Sequence, residues 1–278
     1  MDNKVAIVTG GVSGIGQSIV LGLAGTGYRV YASTRNISSP SSSELTNLSK
    51  KNILDVRLIS LDLSKPDSVK TAISEIIKES GRVDVLVNNA ASGYFAAVED
   101  IEVAEFLHQI QVNVLGAILT AQAVLPQMRK QKSGKIINIS SIMGFSTAPL
   151  NAPYSASKYA LESISETLAL EVKPFGIDVA ILQLGDFHSK FLQNSTRPKY
   201  TADSPYYKLY KRQDEKINIG GGRGKNPAII ARTIAKICSE RTSALRYMIG
   251  KEVFIRKSLH TVLIDNLWIK FLRFFYKW

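Results

Sequence analysis

The tightest constraint on this chain lies near its N-terminus. Lys4-Val-Ala-Ile-Val-Thr9 is a short β-branched apolar run. It leads straight into Gly10-Gly11-Val12-Ser13-Gly14-Ile15-Gly16, followed by an apolar-periodic stretch from Ile19 to Leu23. The first run reads as a strand buried on both faces, which belongs inside a parallel sheet. A strand, a glycine turn and a helix in that order leave backbone N–H groups at the positive end of a helix, where a pyrophosphate can approach. The spacing is Gly-x-x-x-Gly-x-Gly and not the commoner Gly-x-Gly-x-x-Gly, and a purely structural turn would use the same glycines. Its place directly after the first strand favours the nucleotide-binding reading.

Further strand-like runs at Val30–Ala32, Val56–Leu61, Val83–Val87, Lys135–Ile139 and Val179–Leu184 alternate with helical patterns. That alternation predicts an α/β fold, a doubly wound parallel sheet with helices on both faces. A chain of 278 residues can fold as one such domain. No internal repeat is visible, and Ser38–Ser43 is expected to be a short loop within the domain. Cys238 is the single cysteine, so no internal disulfide can form; it falls on an expected helix, Ala228–Ser239, as a packing residue. The first residues lack a basic segment followed by an apolar one, so no secretory signal is expected and the compartment is expected to be cytoplasmic.

Tyr154-Ser-Ala-Ser-Lys158 supplies the chemistry. Residues four apart share a helix face, which puts a Lys ammonium beside a Tyr phenol. A free phenol titrates near ~10. A neighbouring cation moves it toward the range that general acid–base catalysis needs. Alone, this pair would be an accident of an exposed helix face; it gains meaning from the glycine turn at the other end of the chain.

Taken together, Thr9-Gly10-x-x-x-Gly14-Ile15-Gly16, Asp62-Leu63, Asn88-Asn89-Ala90, Asn113, Ser141 and Tyr154-x-x-x-Lys158 resemble the short-chain dehydrogenase/reductase family over most of the chain. The resemblance implies a Rossmann-type catalytic domain over residues 1–258, with a substrate-covering segment at about 186–226. It implies Asn113, Ser141, Tyr154 and Lys158 as catalytic residues: Tyr154 exchanging the proton, Lys158 lowering its pKa and binding the nicotinamide ribose, Ser141 orienting the substrate oxygen, and Asn113 holding a water. It implies cofactor contacts from Thr9, Gly10, Ser13, Gly14, Ile15, Gly16, Asp62, Leu63, Asn88, Ala90, Tyr154, Lys158, Gly185 and Ser189. Asp62 would also serve as a strand-end or helix-capping residue, and Asn88 would also steady the central strands. Three positions depart from the family pattern: Ala91 for Gly, Leu184-Gly185 for Pro-Gly, and Ser189 for Thr.

The end of the second strand selects the cofactor. A carboxylate there would bind both ribose hydroxyls of NAD and repel a 2′-phosphate. No Asp or Glu occurs between Asp2 and Glu44; Arg35 follows the strand, where a guanidinium would hold the 2′-phosphate, so NADP(H) is preferred over NAD(H). His108, His188 and His260 show no metal-ligand spacing with Cys or acidic residues, so no metal is expected. Ser141 has no Gly-x-Ser-x-Gly elbow, which argues against a hydrolase.

The segment from Asn226-Pro227 to Arg246-Tyr247-x-x-Gly250 is similar to the hydroxysteroid and retinol dehydrogenase branch, implying a lipophilic ketone, alcohol or aldehyde as substrate. Phe187, Phe191, Leu192, Tyr206, Tyr207, Leu209 and Tyr210 would line its pocket or simply pack, and the glycine-rich Asn218–Lys225 is expected to be mobile. Residues 190–278 carry 19 Lys/Arg against 6 Asp/Glu, whereas residues 1–189 carry 16 against 17. Such asymmetry points to an anionic partner; nothing resembles a nucleic-acid module. Over 259–278 the sequence predicts an amphipathic basic helix, with Asn266, Lys270, Arg273 and Lys277 on one stripe. It would lie on an anionic membrane, or pack on the substrate lobe or on another subunit. A homo-oligomer, dimer or tetramer, is expected from the family and from the apolar helices around Val112–Leu125 and Ala160–Leu170. Two alternatives stay open at this point: a catalytically silent NADP(H)-binding sensor, and a reductase of ketoacyl groups on an acidic carrier.

Overall fold

The structure is a computed structural model that describes residues 4–220 and 224–276, without the side chains of 216–220. From the N-terminus, β1 (Val5–Val8), α1 (Gly14–Ala24), β2 (Arg29–Thr34), α2 (Pro40–Lys51), β3 (Val56–Ser60) and α3 (Pro66–Ser80) form the first half of a βαβ series. It continues through β4 (Val85–Asn88), α4 (Val103–Ile110), α5 (Gly116–Gln131), β5 (Gly134–Ser141), α6 (Ala152–Val172) and β6 (Ile177–Leu184). Beyond β6 come α7 (Tyr207–Gly220), α8 (Ala228–Ser239), β7 (Arg246–Ile249), α9 (Lys251–Val262) and α10 (Asp265–Tyr276).

All strand pairings are parallel, in the order β3-β2-β1-β4-β5-β6-β7. The order reverses between β1 and β4, so a crevice opens beyond the carboxyl ends of these two strands. The period-2 alternation of β1 explains its wholly apolar sequence. Ala6 and Val8 pack toward Ile19, Val20, Leu23 and Ile230, Ile234, Ile237 of α1 and α8. Val5 and Ile7 pack toward Val69, Ile73, Ile76 of α3 and Val124, Met128 of α5. The helical run Val103–Gln131 has the length and apolarity of a membrane span. Ala121, Val124 and Met128 on it are nonetheless core residues of the second face.

The structure departs from the sequence reading in four places. Ser38–Ser43 is not a loop: Ser39 accepts a hydrogen bond from the Ser42 N–H at 3.2 Å and Pro40 occupies the first turn, so the segment opens α2 as an N-cap followed by proline. A seventh strand, β7, pairs with β6 at Ile181↔Arg246 and Leu184↔Ile249. Residues 259–278 are not one helix with its own boundary. Leu263 is extended (φ −80°, ψ 126°), ending α9, and α10 begins at Asp265. The chain therefore turns back on itself, and residues 259–262 belong to α9; Lys277 and Trp278 lie outside the described residues. The expected mobile stretch Asn218–Lys225 starts inside α7, residues 221–223 lie outside the described residues, and Lys225 is bonded to residues 186–188.

Candidate active site

At the carboxyl end of β1 the glycine turn is closed by side chains on backbone. The Thr9 hydroxyl accepts from the N–H groups of Asn89 and Ala90 at 2.9 and 3.0 Å. The Asn89 amide donates to the carbonyls of Thr9 and Gly10 at 2.9 and 3.3 Å. Gly10 and Gly14 sit at φ +61° and +53°, where only glycine is unstrained. A Cβ on Gly16 would lie 2.1 Å from the Gly10 carbonyl oxygen. Ser13 precedes α1 in extended conformation without capping it through its side chain, and no acidic residue stands in the first turn. Ile15 packs against the core beside the turn. The amides at this helix start are therefore directed at the crevice with nothing anionic beside them, which suits a pyrophosphate. Asn89 was not among the expected site residues; its signal was its place within the Asn88-Asn89-Ala90 motif.

Arg35 is exposed just past β2. Nearby, Asp62 Oδ1 accepts from the Ser64 N–H and hydroxyl at 3.0 and 2.7 Å. Those bonds, with Lys65 and Arg35 adding their charges against an opposing burial effect, hold the carboxyl below its ordinary range. Asp62 thus caps the start of the next loop, the second of the two roles expected for it. Leu63 is buried against Gly116 and, with Thr9, Asn88, Ala90, Asn113 and Lys158, borders a small cleft at the strand ends.

Asn88 is tied into a buried polar chain across the central strands. Its Oδ1 accepts from Thr120 at 2.7 Å, its amide donates to Asn138 Oδ1 at 2.9 Å, and the Asn138 amide donates to Ser165 at 2.7 Å. Asn113 does not sit in a plain α-helix. It lies in a π-helical turn, Gln111–Leu115, between α4 and α5. Its Oδ1 accepts from the Ser92 N–H at 2.7 Å, and its amide donates to the Ser92 carbonyl and to Ser157 Oγ, both at 3.0 Å. Ser157 in turn donates to the Tyr154 carbonyl at 2.7 Å. Asn113 therefore braces the turn that carries Tyr154.

Tyr154 and Lys158 share one face of α6, with the Lys158 nitrogen 5.7 Å from the Tyr154 ring centre. Ser141, at the end of β5, stands beside the phenol and favours its ionised form, and it accepts from the Met143 N–H at 3.2 Å. Tyr154 keeps some surface open to the crevice, but burial pushes its hydroxyl up to about 12, with Ser141 acting the other way. This differs from the expected depression by Lys158. The lysine is itself buried, which lowers it to about 8 against the pull of Glu162, and it donates to the Ile139 carbonyl at 2.8 Å. Its charge is spent on that carbonyl and Glu162 more than on the phenol. At neutral pH the pair is a protonated phenol beside an ammonium, which can deliver a proton to a carbonyl oxygen.

Over the phenol lies the segment after β6. Phe191 packs on Tyr154 with ring centres 5.2 Å apart, and Phe95 does so at 5.7 Å. Of the residues expected to line a pocket, Phe191 alone has its ring on Tyr154. Phe187 packs on the core. Tyr210 is fully buried, bonding Asp100 at 2.8 Å and the Ala97 N–H at 3.0 Å, and Tyr206 reaches Glu99. These tyrosines anchor the covering segment. Ser189 passes close to Gly14, where an added Cβ would come within 3.7 Å of its own. Gly185 leaves room for Glu252 of α9, whose carboxylate accepts from the Asp186 N–H at 3.2 Å and pairs with Lys225. Glu252, Lys225 and Phe95 were not anticipated: each acts across a long sequence separation that no local pattern marks. Among the described residues no cluster of His, Cys, Asp or Glu could hold a metal ion.

A family model described as short chain dehydrogenase matches residues 4–199. The chain is 36% identical to a 3-ketodihydrosphingosine reductase of Bacteroides thetaiotaomicron, covering 99% of both sequences. Among solved structures it is similar to a short-chain dehydrogenase from Streptomyces avermitilis, with TM-score 0.79, 30% identity and 98% of each chain covered. A metagenomic short-chain oxidoreductase in complex with NADP aligns at TM-score 0.71 and 25% identity, over 88% of this chain and 96% of that one.

Proposed function

Because this chain belongs to the short-chain dehydrogenase/reductase family and is an oxidoreductase of CH–OH and C=O groups, we propose that it reduces the carbonyl of a lipophilic small molecule with NADP(H). The observation that carries the reading is the half-buried, protonated Tyr154 beside Ser141, sharing its helix face with Lys158 and opening on the crevice at the strand ends. A nicotinamide nucleotide fits what stands there: glycines at positive φ, no room for a Cβ on Gly16, and an α1 start free of acidic side chains. Thr9, Gly10, Ser13, Gly14, Ile15 and Gly16 would hold its pyrophosphate, Asp62, Leu63, Asn88 and Ala90 the adenosine side, and Lys158, Gly185 and Ser189 the nicotinamide ribose. Arg35, with no carboxylate at the end of β2, supports preference for the 2′-phosphate.

When bound, the nucleotide supplies the hydride in reduction and accepts it in oxidation. Ser141 Oγ orients the substrate oxygen, and Tyr154 delivers its proton to that oxygen as the carbonyl carbon is reduced. Lys158 stabilises the resulting phenolate, and Asn113 holds the helix turn through Ser157. Phe95 and Phe191 beside Tyr154 exclude water and favour an apolar substrate such as a steroid, retinoid or fatty ketone or aldehyde. The Bacteroides relative, named as a ketone reductase, supports reduction as the working direction.

The reading also includes a homo-oligomer, supported by exposed Val103, Leu107 and Leu115 along α4–α5 and Leu170 on α6, a cytoplasmic location, and peripheral contact of the tail with an anionic membrane. The test is cofactor oxidation with NADPH and NADH side by side over a panel of lipophilic ketones and aldehydes, repeated with Tyr154→Phe. Turnover with NADPH that vanishes in the variant is expected; tight NADPH binding without turnover on any member of the panel would overturn it.

A further inference from the structure

We propose that α9 and α10 form a docking platform for an anionic lipid bilayer, set against the active-site wall so that the enzyme takes its substrate from the bilayer. The second half of this statement rests on the lipophilic-substrate reading above; the first does not. Trp268 and Leu272 turn inward from α10 and are 7% exposed. Leu267, Phe271 and Phe274, spaced by four and three residues, share a neighbouring face of the helix. Leu267 is 48% and Phe274 84% exposed, and Val262 and Ile264 at the bend between the helices are 79% and 70% exposed. Asn266, Lys270 and Arg273 run alongside as an exposed polar stripe.

An aromatic and aliphatic face bordered by cations matches a helix lying in the interfacial plane of a membrane. The charge agrees, because the basic excess of the whole chain lies in residues 190–278, with 19 Lys/Arg against 6 Asp/Glu. An anionic surface is its complement.

The platform is joined to the catalytic wall by ring contacts. His260 of α9 meets Trp268 edge-on at 5.0 Å and Phe145 at 6.3 Å, and Lys257 lies 4.9 Å from the centre of the Phe145 ring. Phe145 ends the single helical turn that follows Ser141. The Arg256 guanidinium of α9 lies 5.0 and 5.4 Å from the ring centres of Phe275 and Tyr276, joining the two helices. A bilayer on the exposed face would thus be separated from the wall that carries Ser141 by these two helices alone.

The test uses the full chain with phosphatidylcholine vesicles containing or lacking phosphatidylglycerol, and the variants Leu267→Ser/Phe274→Ser and Lys270→Glu/Arg273→Glu, all at exposed positions. The native chain should float with the phosphatidylglycerol vesicles. The apolar double variant should bind at least ~10-fold more weakly, and the charge-reversed variant should lose the preference for anionic lipid. Turnover of a long-chain ketone dissolved in the vesicles should fall in both variants, while turnover of a short water-soluble ketone stays unchanged. Failure of the native chain to float, or equal flotation of all three proteins, overturns the platform. So does conversion of an oligomer to a smaller species by Leu267→Ser/Phe274→Ser with flotation intact, which would assign the face to a second copy. Flotation as predicted with no turnover of either ketone would support the platform while overturning the reaction reading.

Discussion

Between Thr9 and Asn89 the chain is held by hydrogen bonds to backbone and by glycines that admit no Cβ; between Asp186 and Glu252 it is held by a carboxylate, an ammonium and aromatic rings. The first region is constrained by sterics, with positive φ at Gly10 and Gly14 and no room for a Cβ on Gly16. The second is a set of side-chain tethers, partly solvent-exposed. The two regions meet where Ser189 passes Gly14.

The difference can be sharpened by variants. Tyr154→Phe should lower turnover by about 10³-fold or more while NADPH affinity stays within about twofold, measured by steady-state rates and cofactor titration. In the rigid region, Gly16→Ala should cost about 3 kcal/mol of stability, read from a urea transition, because the new methyl meets the Gly10 carbonyl. A near-neutral result would show that the turn is as yielding as the C-terminal third. Arg35→Ala should raise the KM for NADPH by about 10-fold or more and leave the KM for NADH unchanged.

The pH profile probes the Tyr154–Lys158 pair. Lys158 carries its charge below about 8 and loses it above. The reductive kcat/KM should therefore be level at lower pH and decline above about 8, and Lys158→Arg should move that decline to higher pH. The smallest effect is expected at the tether: Lys225→Ala should cost less than about 1 kcal/mol, since Lys225 and Glu252 are 45% and 39% exposed. A larger loss in the urea midpoint would make the C-terminal third as stiff as the nucleotide half.

The same contrast decided what could be read from sequence. The β1 run, the glycine turn and the Tyr154/Lys158 pair announce themselves because sterics and helical period act over a few residues. The first six strands, edge strand β3 included, are apolar enough to stand out. β7 is not: Arg246-Tyr-Met-Ile249 is a short edge strand with alternating exposure, defined by its partner β6. The break at Leu263 is equally hidden, because apolar residues continue through it, and the fold-back that separates α9 from α10 comes from packing of Trp268 on His260. Lys158 sits at the expected place, yet its electrostatic effect could not be deduced from a four-residue spacing, since burial and the Ile139 carbonyl compete for its charge.

The π-helical turn at Gln111–Leu115 makes the position of Asn113 depend on how many residues this one turn holds. It accommodates one residue more than a regular helix would. Removing a single residue there would close the turn to a regular α-helix while the turns on either side keep their faces. Asn113, inside the widened turn, would shift off Ser92 and Ser157, whereas Gln109, whose side chain accepts from the buried Tyr94 N–H at 2.5 Å, would keep that partner. The residue count of this turn is thus as much a part of the active site as its side chains.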